Sequence, residues 1–304
     1  MKIVIFDGHT INPGDLSWEA LEAIGDLTVY DATDPEQAFE RLGDAEILMT
    51  SKCPVTKEFM QQCPNLRYIG STATGYNNID VDAAKELGIA VTYIPAYSTE
   101  AVAQHTIALI LELCNNVGLH NHSVKSGEWT DCKYFCYWKE PVMLLSGRSL
   151  GIIGYGQIGK KVAEIARALG MNVHVYSQDK EAAMKCDFVS LHCPLTRENA
   201  HFVNAEFIEE MKPGAVLINT ARGGLVDENA LADALRSGRL RAAAVDVLSK
   251  EPPAAENPLL ALDNCIVTPH MAWVPEEMRS IICQTLADNL NSFLEGGTRN
   301  RVDL

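Results

Sequence analysis

The chain has 304 residues, 47% of them hydrophobic and 21% charged, the usage of an ordinary globular protein with room for two domains. This excludes a disulfide-stapled miniature and a long disordered chain. Acidic residues outnumber basic ones 40 to 25, a formal charge of −15, and such a field repels nucleic-acid phosphates and anionic lipid surfaces. A small anionic ligand then needs a local cluster of positive charge and backbone N–H groups, which gives weight to any Arg in a Gly-rich turn.

The opening Met1-Lys2-Ile3-Val4-Ile5-Phe6-Asp7 has an apolar run too short for a signal peptide, and no run is long enough to span a membrane. The nine cysteines are odd in number and scattered through apolar stretches, as free thiols are in a reducing compartment. Both features point to a cytoplasmic protein.

Short β-rich apolar runs at 3–6, 27–30, 47–49, 68–70 and 89–93 alternate with helical patterns at 16–24, 36–42, 57–62 and 81–87. That alternation predicts a parallel sheet covered on both faces. Ser98-Thr99-Glu100 then offers a cap and an early acid for a long apolar helix running to about residue 117. Residues 126–145 hold Trp129, Tyr134, Phe135, Tyr137 and Trp138 in a loop-like context, read as packing or a subunit contact rather than a ligand site. A second series places strands at 150–153, 173–176, 188–191, 215–219, 243–247 and 266–267, helices at 158–169 and 228–235, and a final helix at 276–294. The same α/β design is used twice.

Gly154-Tyr155-Gly156-Gln157-Ile158-Gly159 follows a strand and opens a helix. In that context the glycines permit a tight turn, close approach to a pyrophosphate, and helix–strand packing. By itself the pattern is weak; the strands on either side make it a dinucleotide site. The next strand ends on Ser177-Gln178-Asp179, where an acid normally receives the NAD ribose. Ser177 does not exclude a 2′-phosphate by charge, so NAD is favoured while NADP stays open.

Three strand-end residues complete the chemistry: Arg222 in Thr220-Ala221-Arg222-Gly223-Gly224, Glu251 before Pro252, and His270 after Thr268-Pro269. An Arg fork suits a carboxylate, and an acid beside a His suits proton transfer. Taken singly, Glu251 reads as a loop turn and His270 as a core residue; their order and spacing reverse that reading. Cys132 and Cys136 with His120 and His122 do not have zinc spacing, and no metal is expected.

With these motifs in place, the chain resembles the D-isomer-specific 2-hydroxyacid dehydrogenase family over essentially its whole length. The 71–77 and 95–99 segments, the aromatic run 135–138 and Trp273 look most like its glycerate dehydrogenase (hydroxypyruvate reductase) branch. The resemblance implies two doubly wound parallel-sheet domains: a flavodoxin-like substrate domain from residues 1–98 and 277–304, and an inserted Rossmann nucleotide-binding domain from 99–276. It implies a homodimer through the nucleotide-binding domain, and a small 2-oxo or 2-hydroxy acid as substrate, hydroxypyruvate reduced to D-glycerate being the first choice.

In that scheme Arg222 and the N–H groups of Ala73, Thr74 and Gly75 hold the substrate carboxylate. His270 moves the proton, and Glu251 orients His270 and favours its charged form. The resemblance also carries Gln157 and Ile158 to the pyrophosphate, Ser177 to the ribose, and Cys193, Pro194 and Asn199 to the adenine side. Thr220, Ala221 and Arg222 lie beneath the nicotinamide with His270, Asp246 lies near its carboxamide, and Thr106 approaches from the linking helix. The alternatives are a D-lactate or glyoxylate reductase of the same chemistry, a short phosphoglycerate dehydrogenase, and a non-catalytic NAD(H)-sensing protein like the family's corepressors. The last predicts loss of a catalytic group, and Arg222, Glu251 and His270 are all present.

Overall fold

A computed structural model describes residues 1–304 and divides the chain into two compact units, Met1–Ser98 with Val274–Leu304, and Thr99–Trp273. The chain re-enters the first unit at Val274, three residues before the boundary expected at 277. Arg279 explains the position: its Nε donates to Val274 O at 2.9 Å, and its Nη1 to Ile11 O at 3.1 Å, so the approach to the last helix is tied to residues of the first unit.

The first unit is a five-stranded sheet of β1 (Lys2–Ile5), β2 (Asp26–Val29), β3 (Ile47–Thr50), β4 (Tyr68–Ser71) and β5 (Ala90–Thr92). Every pairing is parallel and the order is β2-β1-β3-β4-β5. This is the doubly wound, flavodoxin-like order. β3 and β4 are buried throughout, as strands covered on both faces must be. The helix expected over 16–24 is shorter, Glu19–Glu22. Residues before it are held in a loop by Asn12, whose Oδ1 accepts from Gly14 N and Leu16 N.

The second unit holds β6 (Ser149–Ile153), β7 (Asn172–Val175), β8 (Phe188–Leu191), β9 (Ala215–Asn219), β10 (Leu240–Val245) and β11 (Cys265–Val267). They pair in parallel in the order β11-β10-β9-β8-β6-β7. Compared with the classic dinucleotide-binding order, the strand outside β7 is missing. The connection 176–187 contains one short helix, Lys180–Met184, and no strand, so β7 is an edge.

The long helix is Thr99–Asn115, and a second helix, Val117–Lys125, follows where none was expected. Asn116 between them is left-handed at φ 48°, and Glu112 Oε1 accepts from Gly118 N at 2.9 Å. Propensity alone does not reveal such a break, because it rests on one side chain reaching forward. Residues 126–144 carry no helix or strand. No helix is long and apolar enough to cross a membrane.

Asp187 braces the start of β6 against β8. Its Oδ2 accepts from Ser149 N and Oγ at 2.9 and 3.0 Å, and its Oδ1 from Lys212 Nζ at 2.8 Å. Burial alone would raise its pKa, but the Lys212 and Ser149 contacts outweigh this and bring it down to about 2. A depressed acid stabilises the fold above its unfolded pKa and loses that contribution as pH falls through the folded value. The melting temperature of wild type is therefore expected to fall between about pH 4 and pH 2, and that of Asp187→Asn to fall less steeply there. Identical slopes would remove Asp187 from the acid response.

Candidate active site

In open α/β sheets the ligand crevice lies outside the carboxyl ends of the strands, where strand order reverses. In the second unit that point lies between β6 and β8. Gly154 ends β6 with φ +97°, and a Cβ there would lie 2.4 Å from Cys193 N and 2.5 Å from His192 C. Only glycine lets the two strand-end turns meet. Beyond Gly154, Gly156 faces open space and stands before the helix Gln157–Ala168, whose N-terminus no side chain caps. Open space over uncapped N–H groups fits a pyrophosphate. Gly159 packs back on the turn, its would-be Cβ 2.1 Å from Gly154 O, while Gln157 is exposed and Ile158 half-buried.

The other residues expected around a dinucleotide fall into two groups. Ser177 is exposed at the end of β7. Asp179, the nearest acid, uses its carboxylate to cap the helix Lys180–Met184, accepting from Ala182 N at 2.9 Å. Cys193 is half-buried against the core, and burial raises its thiol pKa. Asn199 staples its own loop, accepting from Thr196 N at 2.7 Å and donating to Pro194 O at 2.8 Å. Thr106 lies on the helix Thr99–Asn115. It has no exposed surface, its hydroxyl donates to Val102 O and meets Thr220 Oγ1 at 2.8 Å, so it supports Thr220 from behind.

Beyond the ends of β9, β10 and β11, Arg222, Glu251 and His270 line one depression of about 180 Å³, together with Leu195, Gly223, Gly224 and Val247–Ser249. Buried Asn219 shapes the Arg222 turn, accepting from Ala221 N at 3.0 Å and donating to Arg222 O at 2.9 Å. Next to it, a Cβ on Gly223 would lie 1.9 Å from Leu248 C; the Arg turn and the Glu251 loop pack backbone to backbone. Arg222 itself is exposed.

Glu251 is gripped at both oxygens: Oε1 accepts from Leu248 N at 3.0 Å, and Oε2 lies 2.6 Å from His270 Nδ1. The two side chains are 27% and 31% exposed, open enough for a ligand to reach. Glu228 supports the same loop through Ser249 N at 2.6 Å and Asn257 Nδ2 at 2.7 Å.

His270 is left-handed at φ 53°, a strained conformation for a residue with a Cβ. Asp246 holds it there. His270 N donates to Asp246 O at 2.8 Å and Thr268 O at 3.0 Å. The fully buried Asp246 carboxylate takes Thr268 Oγ1 at 2.6 Å and the next two N–H groups, Met271 and Ala272, at 2.9 Å each. His105 Nε2 adds contacts to Thr268 Oγ1 at 3.1 Å and Asp246 Oδ1 at 3.4 Å. Burial pushes the Asp246 pKa up, but the hydrogen bonds from His105, Thr268, Ala272 and Met271 outweigh it and keep the carboxyl below its ordinary range. The residues that sequence reasoning missed are therefore braces: Asn219, His105 and Thr268.

In the first unit, the loop 72–75 follows β4. Ser71 Oγ donates toward Ala73 O and Gly75 O at 3.2 and 3.0 Å, and Thr74 Oγ1 to Ile94 O at 2.7 Å. Ala73 N has one long contact, 3.4 Å to Ser71 Oγ, and Thr72 Oγ1 is buried without a partner. This short, fixed turn leaves backbone donors for an anion.

Residues 107–272 match the model of the D-isomer specific 2-hydroxyacid dehydrogenase NAD binding domain. A hydroxypyruvate reductase of Blautia hydrogenotrophica is 45% identical, covering 100% of both chains. A glycerate dehydrogenase of Methylorubrum extorquens is 41% identical over 90% of this chain and 91% of its own. Among solved structures, D-lactate dehydrogenase from Aquifex aeolicus complexed with NAD and lactic acid superposes with a TM-score of 0.83 at 30% identity, covering 99% of each chain. With the Gly154 turn, the Arg222–Glu251–His270 depression and these likenesses together, the chain belongs to the D-isomer specific 2-hydroxyacid dehydrogenase family, oxidoreductases acting on a CH–OH group through an NAD-binding domain.

Proposed function

We propose that the protein reduces hydroxypyruvate to D-glycerate with NADH. The observation that carries the chemistry is the 2.6 Å contact between His270 Nδ1 and Glu251 Oε2 in the same depression as Arg222; the likeness to a hydroxypyruvate reductase over the full length supports the substrate. The bound nicotinamide supplies the hydride in reduction and accepts it in oxidation.

The protein's residues do the rest. Arg222, with its planar fork, holds the 2-oxo acid carboxylate and draws electron density from the C2 carbonyl. In the first unit, the N–H groups of Ala73, Thr74 and Gly75 are donors for a carboxylate. With Nδ1 committed to Glu251, His270 has Nε2 left for substrate, and gives a proton to the developing alkoxide or takes it back in oxidation. Glu251 stabilises the charged ring and fixes its orientation. On the cofactor side, Gln157, Ile158 and the Gly154–Gly159 turn bind the pyrophosphate, Ser177 the ribose, and Thr220 and Ala221 the nicotinamide face. Cys193, Pro194 and Asn199 wall the adenine side. Asp246 reaches the carboxamide only with a carboxylate already bonded on both oxygens.

Initial rates of NADH and NADPH oxidation with hydroxypyruvate, glyoxylate, pyruvate and 3-phosphohydroxypyruvate test this reading. The highest kcat/KM is expected for hydroxypyruvate with NADH. A higher value for another acid overturns the substrate and keeps the reaction class; cofactor binding without turnover of any acid overturns catalysis.

The protein is read as a cytoplasmic homodimer. All nine cysteines are free thiols, suited to a reducing compartment. The 117–144 segment of the nucleotide-binding unit exposes Val117, Trp129, Tyr134, Phe135, Trp138 and Leu144, Phe135 at 90%, a concentration of exposed large apolar side chains in one segment that suits a protein contact. Sedimentation at micromolar concentration is expected to give twice the chain mass of 33.3 kDa, and Phe135→Asp with Trp138→Asp to give a monomer; a wild-type monomer would overturn the assignment.

A further inference from the structure

The first unit has a switch point of its own. In the order β2-β1-β3-β4-β5 the direction of winding reverses between β1 and β3, so the ligand crevice of this sheet opens between the carboxyl ends of these two strands. β1 runs into Phe6-Asp7-Gly8, and β3 into Ser51-Lys52-Cys53.

These two strand ends are built onto each other. The Asp7 side chain is 4% exposed, and its Oδ2 gathers three donors from the β3 end: Thr50 Oγ1 at 2.5 Å, Ser51 N at 2.9 Å and Lys52 N at 3.0 Å. Thr50 Oγ1 in turn accepts from Cys53 N at 3.2 Å, and Asn78 Nδ2 donates to Cys53 O at 3.0 Å. A turn whose N–H groups end on a buried carboxylate is fixed before any ligand arrives. The side chain that this turn presents is Lys52, which is exposed and enters no ion pair.

Register places it next to the proposed carboxylate loop. Thr50 pairs with Ser71 across β3 and β4, and Thr72 N donates to Thr50 O, so Lys52 and Ala73 each lie two residues beyond paired positions. Lys52 is the single Lys or Arg among residues 6–10, 30–34, 50–55, 72–78 and 93–98, the loops at the carboxyl end of this sheet. The Arg41 guanidinium also reaches this rim, but it is engaged by Ala32 O, Thr33 Oγ1 and the Tyr30 ring, so in a chain of net charge −15 the Lys52 ammonium is the cation left to meet an oxygen-rich ligand.

The geometry points to Lys52 as a substrate-specificity residue whose ammonium hydrogen-bonds the oxygen on C3 of a 2-oxo acid, with Asp7 as the positioning residue that fixes its turn. This rests on the reading that the 72–75 loop binds the substrate carboxylate. Once the carboxylate is anchored beside Ala73, the neighbouring strand end meets the other end of a three-carbon acid. A hydroxyl on C3 gives the ammonium an acceptor, whereas glyoxylate has no C3 and pyruvate has a methyl there.

Lys52→Met keeps the stem and removes the charge, and Lys52→Arg keeps the charge. The expected result for Lys52→Met is a loss of about tenfold in kcat/KM for hydroxypyruvate, consistent with one charged hydrogen bond, and a change of less than about twofold for glyoxylate and pyruvate. Lys52→Arg should restore hydroxypyruvate to within about threefold of wild type, since charge is what the contact needs. NADH binding, followed by fluorescence, should be unchanged in both and serves as the folding control. An unchanged hydroxypyruvate value overturns the proposal, as does an equal loss on all three acids, which would put the ammonium on the carboxylate. Wild type without preference for hydroxypyruvate over glyoxylate would instead overturn the substrate reading on its own, before any variant is made.

Discussion

His270→Ala is expected to lower kcat for reduction by about 10²–10⁴-fold, the range a positioned general acid contributes, while NADH binds as in wild type. The ring is committed before substrate arrives: Nδ1 is held by Glu251 Oε2 at 2.6 Å, and the backbone is held at φ 53° by Asp246 and Thr268. Such a conformation persists only where its surroundings over-determine it, and Asp246 supplies that from both sides, through its carbonyl and its carboxylate. Glu251→Gln should fall between wild type and His270→Ala, because an amide keeps a partner for Nδ1 but not the charge that favours an imidazolium. Steady-state rates with a parallel NADH titration check both. Near-normal turnover by a folded, cofactor-binding His270→Ala protein would remove His270 from the reaction.

Arg222→Ala is expected to reduce kcat/KM for the oxo acid by about 10²–10³-fold, the usual effect of removing one donor aimed at developing negative charge. Arg222→Lys should recover little of it. A guanidinium offers two parallel N–H groups to a carboxylate and an ammonium does not. The loss should be largely in the oxo-acid terms and small in the Kd for NADH, because Arg222 stands in an exposed turn stapled by Asn219 and not at the Gly154 turn. A Lys variant as active as wild type would show that charge alone suffices and that the fork is not used.

The parts of this site that were legible in the sequence are those that local chemistry dictates. A Gly-x-Gly-x-x-Gly run between strand and helix specifies a turn whichever fold surrounds it, and Gly154 meets Cys193 as that turn requires. The alternation of strands and helices gave both sheets, because a parallel strand covered on two faces must be apolar along its length.

What stayed hidden depends on side chains meeting from distant positions. Asp246 after β10 looks the same in sequence whether it faces a ligand or braces a turn, and only its contacts with Thr268, Met271 and Ala272 show the brace. The contact between Thr106 and Thr220, 114 positions apart, is likewise set by packing and not by a local pattern. Asp179, two residues beyond Ser177, is committed as a helix cap, a role its sequence position does not show. The pairing of Asp7 with the Lys52 turn joins residues more than 40 positions apart, beyond any local pattern.

Oxidation of D-glycerate and L-glycerate by NAD, followed at 340 nm on the same preparation, tests the reaction and its handedness together. NADH formation with D-glycerate and none above background with L-glycerate is expected. Oxidation of L-glycerate at a comparable or greater rate, or of neither acid by a protein that binds NAD, would contradict a D-2-hydroxyacid dehydrogenase working on this substrate through Arg222, Glu251 and His270.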